Sequence, residues 1–101
     1  MKKIILQQAF EELCDAIAYY EEKQAGLGLR LKEEIDQHVI WILDNSTVPQ
    51  IRKGIYRRVN LKIFPYYIAY AIREDTLWII AIAHTHRKPD YWIERKSEIP
   101  K

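Results

Sequence analysis

The second half of the chain places seven cations, Arg57, Arg58, Lys62, Arg87, Lys88, Arg95 and Lys96, among tyrosines that include Tyr56, Tyr67 and Tyr91. A guanidinium grips phosphate or carboxylate as a fork, and an aromatic face stacks on a base. The mixture suits RNA or DNA, and it equally suits an acidic peptide. It is a pattern for binding, and nothing in it is a catalytic signature by itself.

Other candidate chemistries are thinner. His84-Thr85-His86 sets two imidazoles on one face of a strand, but zinc takes three or four ligands, and only the distant His38, Cys14 and Asp90 remain to complete a set. A histidine closing a core strand is more often a hydrogen-bonded structural group, and no metal or cofactor is expected. Cys14 sits among Glu11, Glu12 and Asp15, surroundings opposed to a nucleophilic thiolate. No glycine-rich phosphate loop, nucleophile motif or close carboxylate pair is present. Glu21-Glu22 and Glu33-Glu34 read as solvated helix faces, and His38 reads as the flank of an apolar stripe.

Size and charge narrow the classes. The 101 residues make one domain, 1–101, large enough to bury a core, and 49% of them are apolar. No apolar run reaches the ~18 residues of a membrane span, and Met1-Lys2-Lys3 leads into structure without a signal-peptide core. A cytoplasmic protein with no membrane partner is expected, and its single cysteine cannot form an internal disulfide. The net charge of +2 hides an asymmetry. Residues 1–50 carry 5 Lys/Arg against 9 Asp/Glu, whereas residues 51–101 carry 11 against 5. The basic half presents itself to an acidic partner, or merely forms the solvated side of a sheet.

The elements that must hold these residues follow from apolar period. Residues 66–72 and 77–84 are dense in Ile, Tyr, Trp and Ala, with Glu74-Asp75 between them, and predict a hairpin at the centre of a covered sheet. Strict alternation sets Trp78, Ile80 and Ile82 on one face and Leu77, Ile79 and Ala81 on the other. Residues 3–6 predict a strand beside that hairpin, and residues 55–59 predict another, with Pro65 at a strand start or edge. Between them the period changes to three and four. Phe10, Leu13, Ile17 and Tyr20 predict a helix over residues 7–23, with Glu11, Glu12, Asp15 and Glu22 toward solvent. Gly26 ends it, and Leu31, Ile35, Val39, Ile42 and Leu43 predict a second helix. So short a link forces an antiparallel helical hairpin, which must pack on the sheet. A short helix is expected from Pro89 to about Arg95. The order is β-α-α-β-β-β with a short tail, an α+β fold.

Taken together, Gly54-Ile55-Tyr56-Arg57-Arg58, Phe64-Pro65-Tyr66-Tyr67-Ile68-Ala69-Tyr70, Ile80-Ala81-Ile82-Ala83-His84, Arg87, Pro89 and Tyr91-Trp92 resemble the RelE/ParE superfamily of type II toxin–antitoxin toxins. Tyr19-Tyr20 and Gly26-Leu27-Gly28 fit the same pattern, so the likeness runs over essentially the whole chain. It implies two antiparallel helices against a twisted antiparallel sheet. It also implies a bacterial toxin neutralised by a cognate acidic antitoxin, in a hetero-oligomer.

Two modes of action come with the resemblance. RelE-like members cleave mRNA on the ribosome, with basic sheet residues and a C-terminal aromatic stabilising the phosphate. ParE-like members poison DNA gyrase without bond-making of their own. In this chain Arg58, Arg87 and Tyr91 stand at matching RelE positions, whereas Asn60 and Tyr67 replace an expected lysine and arginine. The Phe-Pro-Tyr run and the His-x-x-Arg-x-Pro-x-Tyr-Trp ending look ParE-like. The implied partner-binding set is Arg57, Arg58, Lys62, Arg87, Tyr91 and Trp92. A toxin fold retained only as an interaction module is the third expectation.

Overall fold

The computed structural model describes residues 1–100. Strand β1 (Lys2–Ile5) leads into helices α1 (Gln7–Lys23) and α2 (Leu27–Asp44). Strands β2 (Arg57–Asn60), β3 (Tyr66–Arg73) and β4 (Thr76–His84) follow, and a 3-10 helix (Ile93–Glu98) closes the chain. The four strands lie in the order β1-β4-β3-β2. No helix among the described residues is long and apolar enough to cross a membrane.

The sheet is mixed rather than wholly antiparallel. β2, β3 and β4 run antiparallel in sequence, but β1 pairs parallel with β4, Lys2 opposite Thr76 and Ile5 opposite Ile79. The helical hairpin returns the chain to the start of the sheet. The third strand after it therefore runs in the sense of the first, and the N-terminal strand docks on that one.

The α1–α2 hairpin is set by two glycines and a carboxylate. Gly26 takes a φ of 88°, which lets a three-residue link reverse the chain. A Cβ on Gly28 would stand 2.5 Å from the Ile17 carbonyl oxygen, so glycine is what allows the helices this close. Glu21 accepts hydrogen bonds from the N–H groups of Gly26 (2.8 Å) and Gly28 (3.0 Å). A negative charge thereby satisfies donors at the start of α2, where the helix dipole favours it. Glu21 is thus an exposed side chain that also caps α2.

The buried side of α1 is rotated from the expected stripe. Leu6, Ala9 and Ala16 are buried and Leu13, Ile17 and Tyr20 half-buried, whereas Phe10 is 48% exposed. Spacing of three and four from Leu6 through Ala9, Leu13, Ala16 and Tyr20 holds one line, and alanine lets the helix approach β4 closely. Glu12 falls beside that line, toward the sheet.

The β3–β4 hairpin is the expected centre. Arg73 pairs with Thr76 across Glu74 and Asp75, whose φ values of 52° and 56° make the mirror-image turn that suits the strand twist. A β-bulge interrupts the ladder, since Ala69 faces Ala81 but Tyr70 faces Ile79, leaving Ile80 unpaired. The extra residue shifts the alternation by one, so Ile79 and Ile82 share a face on either side of it. Tyr66, Ile68 and Tyr70 lie toward the helices, with the Tyr66 ring 6.2 Å from that of Tyr20. The opposite face carries Tyr67 with Ala69, Ala71, Ala81 and Ala83, and there Trp92 is seated. It is 1% exposed, donates from Nε1 to the Tyr67 hydroxyl at 2.8 Å and packs edge-on against Tyr56.

Candidate functional site

Two surfaces carry the charged and aromatic side chains. The first is a cleft of about 310 Å³ between α1 and the end of β4, lined by Asp15, Tyr19, Tyr66, His84, Arg87 and Tyr91 among others. The Arg87 guanidinium lies 3.8 Å from the centre of the Tyr91 ring, and His84 stands edge-on to Tyr66 at 5.1 Å. His84 Nδ1 accepts the His86 N–H at 3.0 Å. No group of three metal-ligating side chains occurs among the described residues.

Glu12 underlies this cleft. Its carboxylate accepts from the Ile82 N–H (3.1 Å), from both terminal nitrogens of Arg95 (2.9 and 3.1 Å) and from the Tyr91 hydroxyl. β1 covers β4 only as far as Ile79, so the β4 edge beyond it is open. Glu12 and Arg95 serve in place of a strand there, and Arg95 also donates to the Ile80 carbonyl at 3.2 Å. Burial and the Glu12 carboxylate together push the Tyr91 hydroxyl well above its ordinary range. Arg95 and Tyr91 therefore fasten the tail to α1. Glu12, read from its acidic neighbours as solvent-facing, is the residue the sequence reading missed. Its one signal was a place one residue from Leu13.

The second surface is the β2 edge. Arg58 lies 3.7 Å over the Tyr67 ring and donates to Asn60 Oδ1 at 3.0 Å. Arg57 is turned elsewhere, donating to the carbonyls of Thr47 (3.2 Å) and Pro49 (2.6 Å), so it secures the loop after α2. Lys62 is exposed and lines a groove of about 670 Å³ with Arg30, Glu33, His38, Trp41 and Ile63. Glu34 is 6% exposed and takes the N–H groups of Lys62 (2.7 Å), Ile63 (3.1 Å) and Phe64 (3.3 Å). It is an internal anchor for the β2–β3 loop, where a solvated face was expected. His38 Nδ1 meets the Glu34 carbonyl at 2.8 Å within α2.

The proposed contact residues thus divide. Arg87 and Tyr91 come together, although no helix joins them, because the 3-10 turn begins only at Ile93. Arg58 does not line their cleft. Tyr56 and Tyr67 are buried and cannot stack on a base; Trp92 is core. Lys88 and Lys96 are exposed. Asp90 ties the tail to the loop before β2 through Lys53 (2.6 Å) and the Tyr56 hydroxyl (2.7 Å), and these partners hold its carboxyl below the usual range.

A helical hairpin on a four-stranded mixed sheet, with the C-terminal tail clamped over the open edge of β4, is an α+β fold. Residues 4–89 match the family described as ParE toxin of type II toxin-antitoxin system, parDE, and the chain belongs to that family. Among solved structures it is similar to a chain of the chromosomal ParDE TA system from P. aeruginosa, with a TM-score of 0.74. The two are 14% identical, and the match covers 85% of this chain and 97% of that one. None of the curated proteins is matched by sequence.

Proposed function

We propose that this toxin arrests growth by binding and poisoning DNA gyrase, and that a cognate acidic antitoxin neutralises it. The observation that carries the reading is the dispersal of the endonuclease candidates. Arg87 and Tyr91 share a cleft, but Arg58 is held over Tyr67 elsewhere, and Tyr67 and Asn60 occupy positions where cations would be needed. Tyr67 is moreover committed to Trp92. Stabilising a phosphorane-like charge takes several donors converging on one point. The exposed cation Arg87 beside aromatic rings suits recognition of an acidic or phosphate-bearing surface instead. Arg58, Lys62, Arg87 and Tyr91 are the contact residues in this reading; Arg57 and Trp92 support the fold behind them.

The test is inducible expression in cells, with purified protein assayed on gyrase and on translating ribosomes. Filamentation, double-strand breaks and stabilised gyrase–DNA cleavage complexes are expected, with mRNA intact. Cleavage of mRNA on the ribosome, with gyrase unaffected, would establish the endoribonuclease mode. A folded protein that does neither would be an interaction module.

A further inference from the structure

We infer that Glu12 is a positioning residue for the cleft that meets the target: it fixes the Tyr91 ring on which Arg87 is presented, and it neutralises Arg95 beside that ring, so that one aimed cation remains. The inference rests on the toxin reading above and adds to that surface a residue of α1, far from the tail in sequence.

Glu12 is fully engaged. Its Oε1 accepts from the Ile82 N–H (3.1 Å) and Arg95 Nη1 (2.9 Å), and its Oε2 from Arg95 Nη2 (3.1 Å) and the Tyr91 hydroxyl. These donors fill the roughly four lone-pair sites that a carboxylate has. The pair with Arg95 is largely withdrawn from water, the Glu12 side chain being 15% exposed and that of Arg95 17%. Donors from β4 and from two points of the tail converge on this carboxylate, which therefore sets where the tail lies on α1. The bulge in β4 serves the same end. Its extra residue, Ile80, offers its carbonyl to Arg95 at 3.2 Å, and two residues on Ile82 offers its N–H to Glu12. A bulge beside a site commonly re-aims groups in this way.

The consequence falls on Arg87. Two guanidinium groups approach the Tyr91 ring, that of Arg87 at 3.8 Å from its centre and that of Arg95 at 5.5 Å. Glu12 compensates Arg95, whereas Arg87 is exposed and has no ion-pair partner among the described residues. A planar guanidinium stacks well only on a ring that keeps its orientation. The Tyr91 hydroxyl is the far end of that ring, and tying it down fixes the plane. Burial and the Glu12 carboxylate hold the hydroxyl in its protonated form, so the tie persists at neutral pH. Glu12, Asp15, Ala16 and Tyr19 follow one another at helical spacing along the wall that α1 gives the cleft. Glu12 thus reaches the target through Arg87, with its own oxygens all taken.

The test uses the whole chain with two variants. Glu12→Gln keeps the shape and removes the charge. Tyr91→Phe deletes only the hydroxyl that Glu12 holds, and it guards against a Glu12 variant that misfolds. The first readout is the Arg87 Nε–H resonance, which ring current moves upfield while the guanidinium lies over Tyr91. In both variants it should return toward the position of a free arginine, with the backbone amide spectrum of β3 and β4 unchanged. The second readout is affinity for purified gyrase, which each variant should lower roughly tenfold. Glu12→Gln combined with Arg87→Lys, a cation without the planar face, should bind no more weakly than Arg87→Lys alone. An Arg87 resonance that stays put in a variant with a native amide spectrum would overturn the inference. So would a loss from Glu12→Gln that multiplies with the loss from Arg87→Lys, which would leave Glu12 an anchor of the fold. A wild-type chain that binds no gyrase sinks the gyrase reading instead, and the Arg87 resonance then decides the positioning by itself.

Discussion

The guanidinium of Arg87 rests 3.8 Å above the centre of the Tyr91 ring, while the hydroxyl of that ring is held by Glu12. The ring is fixed from beneath and the cation lies on its outer face. Arg87 has no carboxylate partner among the described residues; Asp90, the nearest acid in sequence, is taken by Lys53 and Tyr56. Its charge is therefore free for a partner while its position is set. Arg87→Ala should abolish growth inhibition while lowering stability by only about 0.5–1 kcal/mol, the value of an exposed cation–π contact. Viable counts after induction, beside a urea melt of the purified variant, decide it. A variant whose toxicity falls only in step with its folded fraction would make Arg87 structural.

Glu34 offers a contrasting case, a charge whose whole work is internal. Its carboxylate receives three successive N–H groups of the loop between β2 and β3. Glu34→Ala strands those donors, and the expected cost is about 1.5–3 kcal/mol. Glu34→Gln keeps an acceptor oxygen and should cost less. Equal urea midpoints for wild type and Glu34→Ala would show that water replaces the carboxylate freely.

Much of this architecture was legible before any coordinates. The change of apolar period from three-and-four to two marks the helical hairpin and the β3–β4 hairpin, and the three-residue link dictates their antiparallel packing. Three features were not legible, each for a physical reason. A carboxylate on a helix looks the same whether it meets water or backbone donors, so Glu12 and Glu34 passed as solvated. β4 is apolar on both faces, so its pattern could not reveal the bulge at Ile80, where an extra residue changes sides without any polar residue to mark it. Trp92 stood in the partner-binding set that the resemblance implies, yet it is 1% exposed. Four alanines on β3 and β4 had already left the space it fills.

The two helix-junction glycines should respond differently to substitution. Gly28→Ala drives a methyl against the Ile17 carbonyl, a backbone atom that cannot swing aside. The hairpin must open, at a cost of about 1–3 kcal/mol as overpacking usually exacts. Gly26→Ala meets no atom within 4 Å and suffers only the strain of a φ of 88°, about 1 kcal/mol. Thermal melts of the pair should rank Gly28→Ala lower. The reverse order would mean that the helices separate easily and that link geometry, not contact, controls the hairpin.

Alkaline pH should unfold the protein through its tyrosines. Burial, then the bond to Asp90, pushes the Tyr56 hydroxyl up to about 12, and burial, partly offset by Arg57, pushes Tyr70 up to about 12. Tyr91 is raised as well, by burial first and then by Glu12. A phenol is neutral when protonated, and here the native state holds the proton more tightly than the unfolded chain, whose tyrosines ionise near pH 10. Below pH 10 both states keep their protons and the full stabilisation is present. Between 10 and 12 the unfolded chain ionises first, so stability falls as pH rises, by at most about 1.4 kcal/mol per pH unit for each such tyrosine. Urea midpoints should be flat from pH 8 to 9.5 and then decline steeply. Tyrosinate absorbance of the folded protein should show part of the seven tyrosines titrating late, together with unfolding. Tyr91→Phe lacks the ionising hydroxyl, and its decline should be shallower than that of wild type. A midpoint that holds steady to pH 11.5, or seven tyrosines that all titrate near 10 in the folded protein, would mean that these hydroxyls are open to water.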